Sequence, residues 1–298
     1  TTTSLPSTDT SHPTVVTVQT LARELKSCTG LQALDLSGHC LGPYASVDIA
    51  HALQSCPLLH SLRLAYCGIG DTAVSAIAAQ WTSANPTRLR VMDLRGNALA
   101  ACPLLSSLCT QTQLEVVSLA DNPLLGGPTV VDIVRRLPKR SLRHIDVGGL
   151  QLSKSEAQLV VDSLTHHIGP LQAIGLAGTA LDDTMLGSIA RCYPRLRSLS
   201  VADCTQLTQR SIDQFRSLEF LNVSNCPLVY SVEPFAHTIQ TLIASHSCGV
   251  SDEGLQSAAV LVKLDISNNK RVTTVKPFAA TLRELIASGD SGMCDDGL

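Results

Sequence analysis

The sequence predicts an α/β solenoid: a right-handed coil in which about eleven short parallel strands line one concave sheet, with helices or 3₁₀ turns on the convex side. Three observations predict it. The motif L-x-x-L-x-L, or a close aliphatic variant, starts at Leu31, Leu59, Leu89, Leu114, Leu142, Leu171, Leu196, Leu218, Ile239, Leu261 and Leu282. The gaps between starts are 28, 30, 25, 28, 29, 25, 22, 21, 22 and 21 residues, the near-fixed period of a stacked repeat. Hydrophobic residues make up 44% of the 298-residue chain and aromatics only 3%, so the core must be thin and built from Leu, Ile, Val and Ala.

The strands come from the motif itself. Alternating apolar residues in L-x-L mark a short strand with one buried face. One unit alone cannot bury its leucines, so neighbours must stack and share a core. The chain then turns at the ninth residue of the unit. A buried Asn or Cys there bonds the backbone of adjacent turns, whose polar groups would otherwise go unpaired. The ninth position reads Cys67, Asn97, Asn122, Cys204, Cys226 and Asn269, with Thr179 and Ser247 as polar substitutes. His39, Leu150 and Asp290 depart from the rule.

The returns differ along the chain. In the first six units they read as helices: "GDTAVSAIAAQW" repeats Ala73, Val74, Ile77 and Ala78 at helical spacing behind Asp71 as an N-cap, and "GPTVVDIVRRL" and "DDTMLGSIARC" behave alike. The last units are shorter. "SVEPFAHT" and "TVKPFAAT" leave room for a turn or a 3₁₀ segment, and "VSDEGLQSAAV" holds slightly more helix. The segments at 232–255 and 275–298 therefore echo each other because a pair of unlike short units is used twice.

The ends are expected to differ from the middle. Residues 1–13 read as a disordered tail and 14–30 as an amphipathic helix capping the repeats, with Val15, Val18, Leu21 and Leu25 near one face. The repeat domain then occupies 31–298. No polar cap is visible after "CDDGL", so that end is expected to be continued by more chain or covered by a neighbour.

The motif and its ninth residue resemble the leucine-rich-repeat family, whose pattern is L-x-x-L-x-L-x-x-N/C-x-L. The resemblance covers nearly the whole chain from Leu31. The longer units are similar to the ribonuclease-inhibitor type. "LRSLSVADCTQLTQRSI" and "CGVSDEGL" are similar to the cysteine-containing type known from substrate-receptor subunits of ubiquitin ligases. The mixture fits neither subclass cleanly. The resemblance implies a horseshoe used as an interaction surface.

Several function classes lose support. A net charge of −3 gives no basic footprint for nucleic acid, which is expected only indirectly within a larger complex. No apolar run is long enough to span a bilayer, so no membrane role is expected. There is no G-x-S-x-G, no phosphate-loop lysine motif and no C-x-x-C pair, so neither catalysis nor a cofactor or zinc site is expected. Gly68 to Gly70 read as a turn, and His166 and His167 as an exposed helix end. The eleven cysteines, odd in number and widely spaced, read as reduced structural thiols in a cytoplasmic protein.

That leaves the concave face. Positions 3, 5, 7 and 8 of each unit point outward there. The residues expected to meet a protein partner are Arg63, Tyr66, Asp93, Arg95, His144, Asp146, Gly148, Gly175, Gly178, Phe220, Asn222 and Asn225. Arg63 falls between Asp35 and Asp93, either as a cross-strand charge ladder or as a recognition patch. The glycines and alanines at 148–149 and 173–178 either relieve crowding or let a partner approach the backbone. The expected function is a non-enzymatic scaffold in a larger intracellular assembly of cytoskeletal, flagellar or ribosome-like type. The alternatives are a ubiquitin-ligase substrate receptor or a protein inhibitor of an enzyme.

Overall fold

The computed structural model describes residues 15–80, 88–101, 113–166 and 169–293. The tail expected at 1–13, His167, and the cysteines at 102, 109 and 294 lie outside the described residues. Among the described residues eleven strands of three residues each form one open sheet in chain order. They are β1 (Ala33–Asp35), β2 (Ser61–Arg63), β3 (Val91–Asp93), β4 (Val116–Ser118), β5 (His144–Asp146) and β6 (Ala173–Gly175). They continue as β7 (Ser198–Ser200), β8 (Phe220–Asn222), β9 (Thr241–Ile243), β10 (Lys263–Asp265) and β11 (Glu284–Ile286). All neighbours are parallel, and equivalent motif positions sit opposite one another throughout.

The middle residue of every strand points into the core. Leu62, Met92, Val117, Ile145, Ile174, Leu199, Leu221, Leu242 and Leu264 are at most 2% exposed. Leu34 and Leu285, on the first and last rungs, are only partly buried. Each rung needs a neighbour on both sides to bury its leucine fully, which stabilises by about 1.5–3 kcal/mol per side chain.

The backbone ladder outruns the formal strands. The amide of Gln172 donates to the Arg143 carbonyl before β5 and β6 (2.7 Å), and that of Gly149 to Ala177 after them (2.6 Å). The eighth residue then turns the chain off the sheet. Every eighth residue has a left-handed backbone: Gly38, Tyr66, Gly96, Asp121, Gly149, Gly178, Asp203, Asn225, His246, Asn268 and Gly289. Gly, Asn and Asp accept this conformation readily, while Tyr66 and His246 carry its cost of about 1–2 kcal/mol.

The ninth residue ties consecutive turns together. Asn97 donates to the carbonyls of Leu64 (2.8 Å) and Leu94 (2.9 Å) and accepts from the amides of Cys67 and Ile69 (both 3.1 Å). The thiol of Cys226 donates to the Val201 carbonyl (3.2 Å), and Thr179 to Leu176 (2.6 Å). Leu150 fills its slot as a fully buried aliphatic side chain. The expectation for Ser247 is corrected: it is exposed, and Cys248, one residue later, occupies the buried slot. The turn after β9 carries one extra residue, which shifts the thiol by one position.

The convex side holds α1 (Val15–Leu25), α2 (Gly42–Leu53), α3 (Asp71–Gln80), α4 (Gly127–Arg136), α5 (Lys154–His166) and α6 (Asp183–Cys192). Helix α1 packs on α2, with Ala22 and Leu25 buried. The returns then shrink to α7 (Gln209–Ile212), η1 (Glu233–Phe235), α8 (Asp252–Leu255) and η2 (Lys276–Phe278). The two 3₁₀ turns are near copies: each follows a valine with φ near −110° and buries a phenylalanine. Asp71 is the first residue of α3, and its carboxylate accepts from the amides of Ala100 (3.0 Å) and Ala101 (2.8 Å) in the next unit. Asp183 accepts from Thr208 (2.8 Å) and Asp252 from Thr273 (2.8 Å) in the same manner. These carboxylates staple one coil to the next on the convex side.

Candidate functional site

The fifth position of the repeat folds the chain at the end of its strand. Asp35, Asp93, Asp146, Asn222 and Asp265 each accept from the amide two residues on, at 2.9–3.1 Å. Such local bonds favour a turn and occupy one side-chain oxygen. In the aspartates a second oxygen remains to look across the sheet, and in Asp35 and Asp146 it meets an arginine.

Arg63 sits opposite both Asp35 and Asp93, and the pair it makes is with Asp35 at 4.0 Å. Both side chains are about half exposed, so solvent screening leaves this pair a few tenths of a kcal/mol. A closer pair lies deeper on the face. Arg95, just past β3, reaches across β4 to Asp146 on β5 at 2.6 Å, and the Asp146 side chain is only 16% exposed. Between them lies Ser118, whose hydroxyl is buried without a hydrogen-bond partner, as is the Nε of Arg95. His144, on the same strand as Asp146, is half-buried; burial pushes its pKa down and the Asp146 charge opposes that.

A second row runs along the eighth positions. The phenol of Tyr66 donates to Asp121 at 2.7 Å, two rungs away. Its ring lies over Gly96, where a Cβ would come within 2.1 Å of a ring carbon. The hydrogen bond to Asp121, then burial, raises the pKa of Tyr66. The Asp121 carboxylate in turn covers Gly149, and Asn225 donates to Asp203 at 2.9 Å.

The small residues of the floor fall into two kinds. Gly148 and Gly175 are buried because neighbours fill the space beside them. A Cβ on Gly148 would come within 2.9 Å of the Ala177 nitrogen, and one on Gly175 within 2.2 Å of an Asp146 oxygen. Gly178 is exposed and left-handed, with nothing closer than 3.8 Å to its Cβ position. Beyond this floor Phe220 is half-buried on β8, opposite Ser198 and Thr241, and Asn222 lies opposite Ile243. The expected residues thus fall into two neighbouring groups: the polar pairs and small residues between Arg63 and Gly178, and the group at Phe220, Asn222 and Asn225.

The described thiols sort by depth. Cys56, Cys67, Cys204, Cys226 and Cys248 are buried, while Cys28, Cys40 and Cys192 are exposed. Burial pushes Cys226 up to about 12 and Cys248 up to about 11. Among the described residues no group of three His, Cys, Asp or Glu is placed to hold a metal ion, and no helix is long and apolar enough to cross a membrane.

One charged feature was hidden in the whole-chain balance. The residues that enter the strands form a rim along one edge of the sheet, and several units place arginines there. The signal lies in the recurring "TRLR", "KRSLR" and "PRLR".

Residues 55–78 match the family described as Leucine Rich repeat. The whole coil is similar to a chain of the yeast Rad7–Elc1 complex, with a TM-score of 0.53 over 92% of this chain and 88% of that one. The chain is a leucine-rich-repeat protein. At 16% identity the likeness to the Rad7–Elc1 complex is one of fold. The same holds for the complex of TLR13 with ssRNA13, which this leucine-rich-repeat protein matches at a TM-score of 0.51 and 16% identity, over 87% of this chain and 39% of that one. Among curated proteins it is 26% identical to the Tonsoku-like protein of Mus musculus over 212 residues, 66% of this chain. The match spans only 14% of the mouse protein's length.

Proposed function

We propose that this leucine-rich-repeat protein is a non-enzymatic scaffold that binds another protein on its concave face, as a cytoplasmic subunit of a larger assembly of cytoskeletal, flagellar or ribosome-like type. The observation that carries the reading is the organisation of that face. Most of its polar and charged side chains are held by one another or by backbone amides, as Arg95 is by Asp146 and Tyr66 by Asp121. Catalysis asks for titratable groups converging on a pocket. A broad shallow sheet with preset side chains suits recognition of a surface instead. Within it, Arg63, Tyr66, Asp93, Arg95, His144 and Asp146 supply polar contacts. Gly178 supplies open backbone, Gly148 and Gly175 keep the floor flat, and Phe220 with Asn222 and Asn225 supplies an aromatic anchor beside two amides.

A second reading is a substrate receptor of a ubiquitin ligase. It is favoured by the cysteine-containing units, and the similar yeast chain comes from a complex of Rad7 with Elc1. Affinity purification from the native cell, with mass spectrometry of what co-purifies, separates the two. Stoichiometric recovery with one large assembly supports the scaffold. Recovery with cullin-type ligase subunits replaces it with the receptor.

A further inference from the structure

The strand-entry rim concentrates exposed cations. The second motif position continues the sheet by one residue on that side: the amide of Glu115 donates to Arg90, Arg143 to Glu115, Gln172 to Arg143, Arg197 to Gln172 and Glu219 to Arg197, at 2.7–2.9 Å. These residues are therefore in register along one edge. Three of these six side chains are arginines, and the loops leading into the strands add Arg88, Lys139, Arg140, Arg195 and Arg216. Arg90 pairs with Glu115 (3.1 Å) and Arg197 with Glu219 (3.2 Å). The remaining cations, Arg88, Lys139, Arg140, Arg143, Arg195 and Arg216, are all exposed and make no side-chain hydrogen bond or ion pair among the described residues. They span the entries to β3 through β8, about 24 Å at the spacing of parallel strands of about 4.8 Å. In a chain of net charge −3, so many free cations on one edge have no structural task in the fold. Helix C-termini attract cations, which explains Arg135 and Arg136 at the end of α4 but not those in the loops.

We propose that this rim is a docking site for an acidic, extended segment of a partner protein, about seven residues of which would match its length at about 3.3 Å per residue. Guanidinium groups grip carboxylates in bidentate fashion, and five of the six free cations are arginines. Phosphate chains would satisfy the same groups, but two features disfavour nucleic acid. Among the described residues the rim exposes no aromatic side chain on which bases could stack. The adjoining concave face also carries Asp93, Asp121, Asp203 and Asp265 outside any ion pair, which would repel a duplex bearing one charge per about 1.7 Å. A single narrow polypeptide strand can follow the rim and avoid them. The inference rests on the scaffold reading and adds a second contact surface to it. The two fail separately, because variants of the concave floor leave the rim intact.

The test is fluorescence anisotropy of the full chain with a fluorescein-labelled oligoglutamate peptide of about a dozen residues. A duplex DNA of similar length serves as competitor. The expected result is salt-sensitive binding that Arg140→Glu, Arg143→Glu and Arg195→Glu together weaken at least about tenfold. The same three charge reversals at Arg191, Arg210 and Lys276 on the convex side should leave it nearly unchanged. The melting temperature reports folding, and these exposed side chains should barely move it. No measurable binding, equal loss with the convex variant, or tighter binding of the DNA than of the peptide would overturn the proposal.

Discussion

The phenol of Tyr66 bonds the carboxylate of Asp121, 55 residues later in the chain and two rungs along the sheet, at 2.7 Å. The rung between them contributes Gly96, whose missing side chain leaves the space in which the ring lies. Tyr66 also holds a left-handed backbone that a tyrosine rarely adopts, with φ of 56°. The expected consequence is strong coupling between two positions. Gly96→Ala should evict the ring and strain its own left-handed backbone, lowering stability by roughly 2–3 kcal/mol. In a Tyr66→Ala background the same change should cost only the backbone part, about 1 kcal/mol. A double-mutant cycle by urea unfolding measures the difference, and strict additivity would show that the ring does not lie over Gly96.

The ninth-position residues should differ in weight. Asn97→Ala unpairs two buried amides and at least two carbonyls, so a loss of about 2–5 kcal/mol is expected. Cys226→Ala removes a thiol donor, which is weak, and leaves a small void, so about 1 kcal/mol is expected. Equal effects in equilibrium unfolding would mean that the slot is held by volume and not by hydrogen bonding.

How much of this was legible in sequence depends on how local its cause is. The buried row from Leu62 to Leu264 was readable because strand periodicity is a property of adjacent residues. The left-handed eighth position was half readable: Gly, Asn and Asp announce it, while Tyr66 and His246 do not. The reach of Arg95 over β4 to Asp146 was not readable, because nothing in a sequence gives the length and direction of a side chain across two rungs. The extra residue that swaps Cys248 for Ser247 escaped for a related reason, since a fixed motif cannot show where the turn takes one more residue. The arginine rim was present in the motifs but vanished in a whole-chain charge that sums opposite surfaces.

His144 makes stability depend on pH. Burial holds its pKa below the ordinary value of 6.5, so the folded state favours the neutral ring. As pH falls through 6.5 the unfolded chain takes up the proton first. The contribution is therefore complete above that pH and is lost on acidification. Melting temperature should decline from about pH 7 to about pH 5, above the range where carboxylates titrate. His144→Gln should flatten that decline; an unchanged slope would place its cause elsewhere.

Thiol labelling should divide the cysteines by burial. Cys28, Cys40 and Cys192 should react with iodoacetamide in the native protein, whereas Cys204, Cys226 and Cys248 should react only after unfolding. Peptide mass spectrometry reads both sets. Rapid native labelling of Cys226 would contradict its place in the core.

The claim on which the functional account stands is that the sheet face receives the partner. Ala173 and Ser198 face outward on β6 and β7 and are half-buried, so arginine at both positions would raise the floor without entering the core. Isothermal titration of the co-purified partner against the wild type and the Ala173→Arg, Ser198→Arg variant tests this directly. The account predicts at least about a tenfold loss of affinity, about 1.4 kcal/mol, with the melting temperature nearly unchanged. Undiminished binding by a fully folded variant would contradict it.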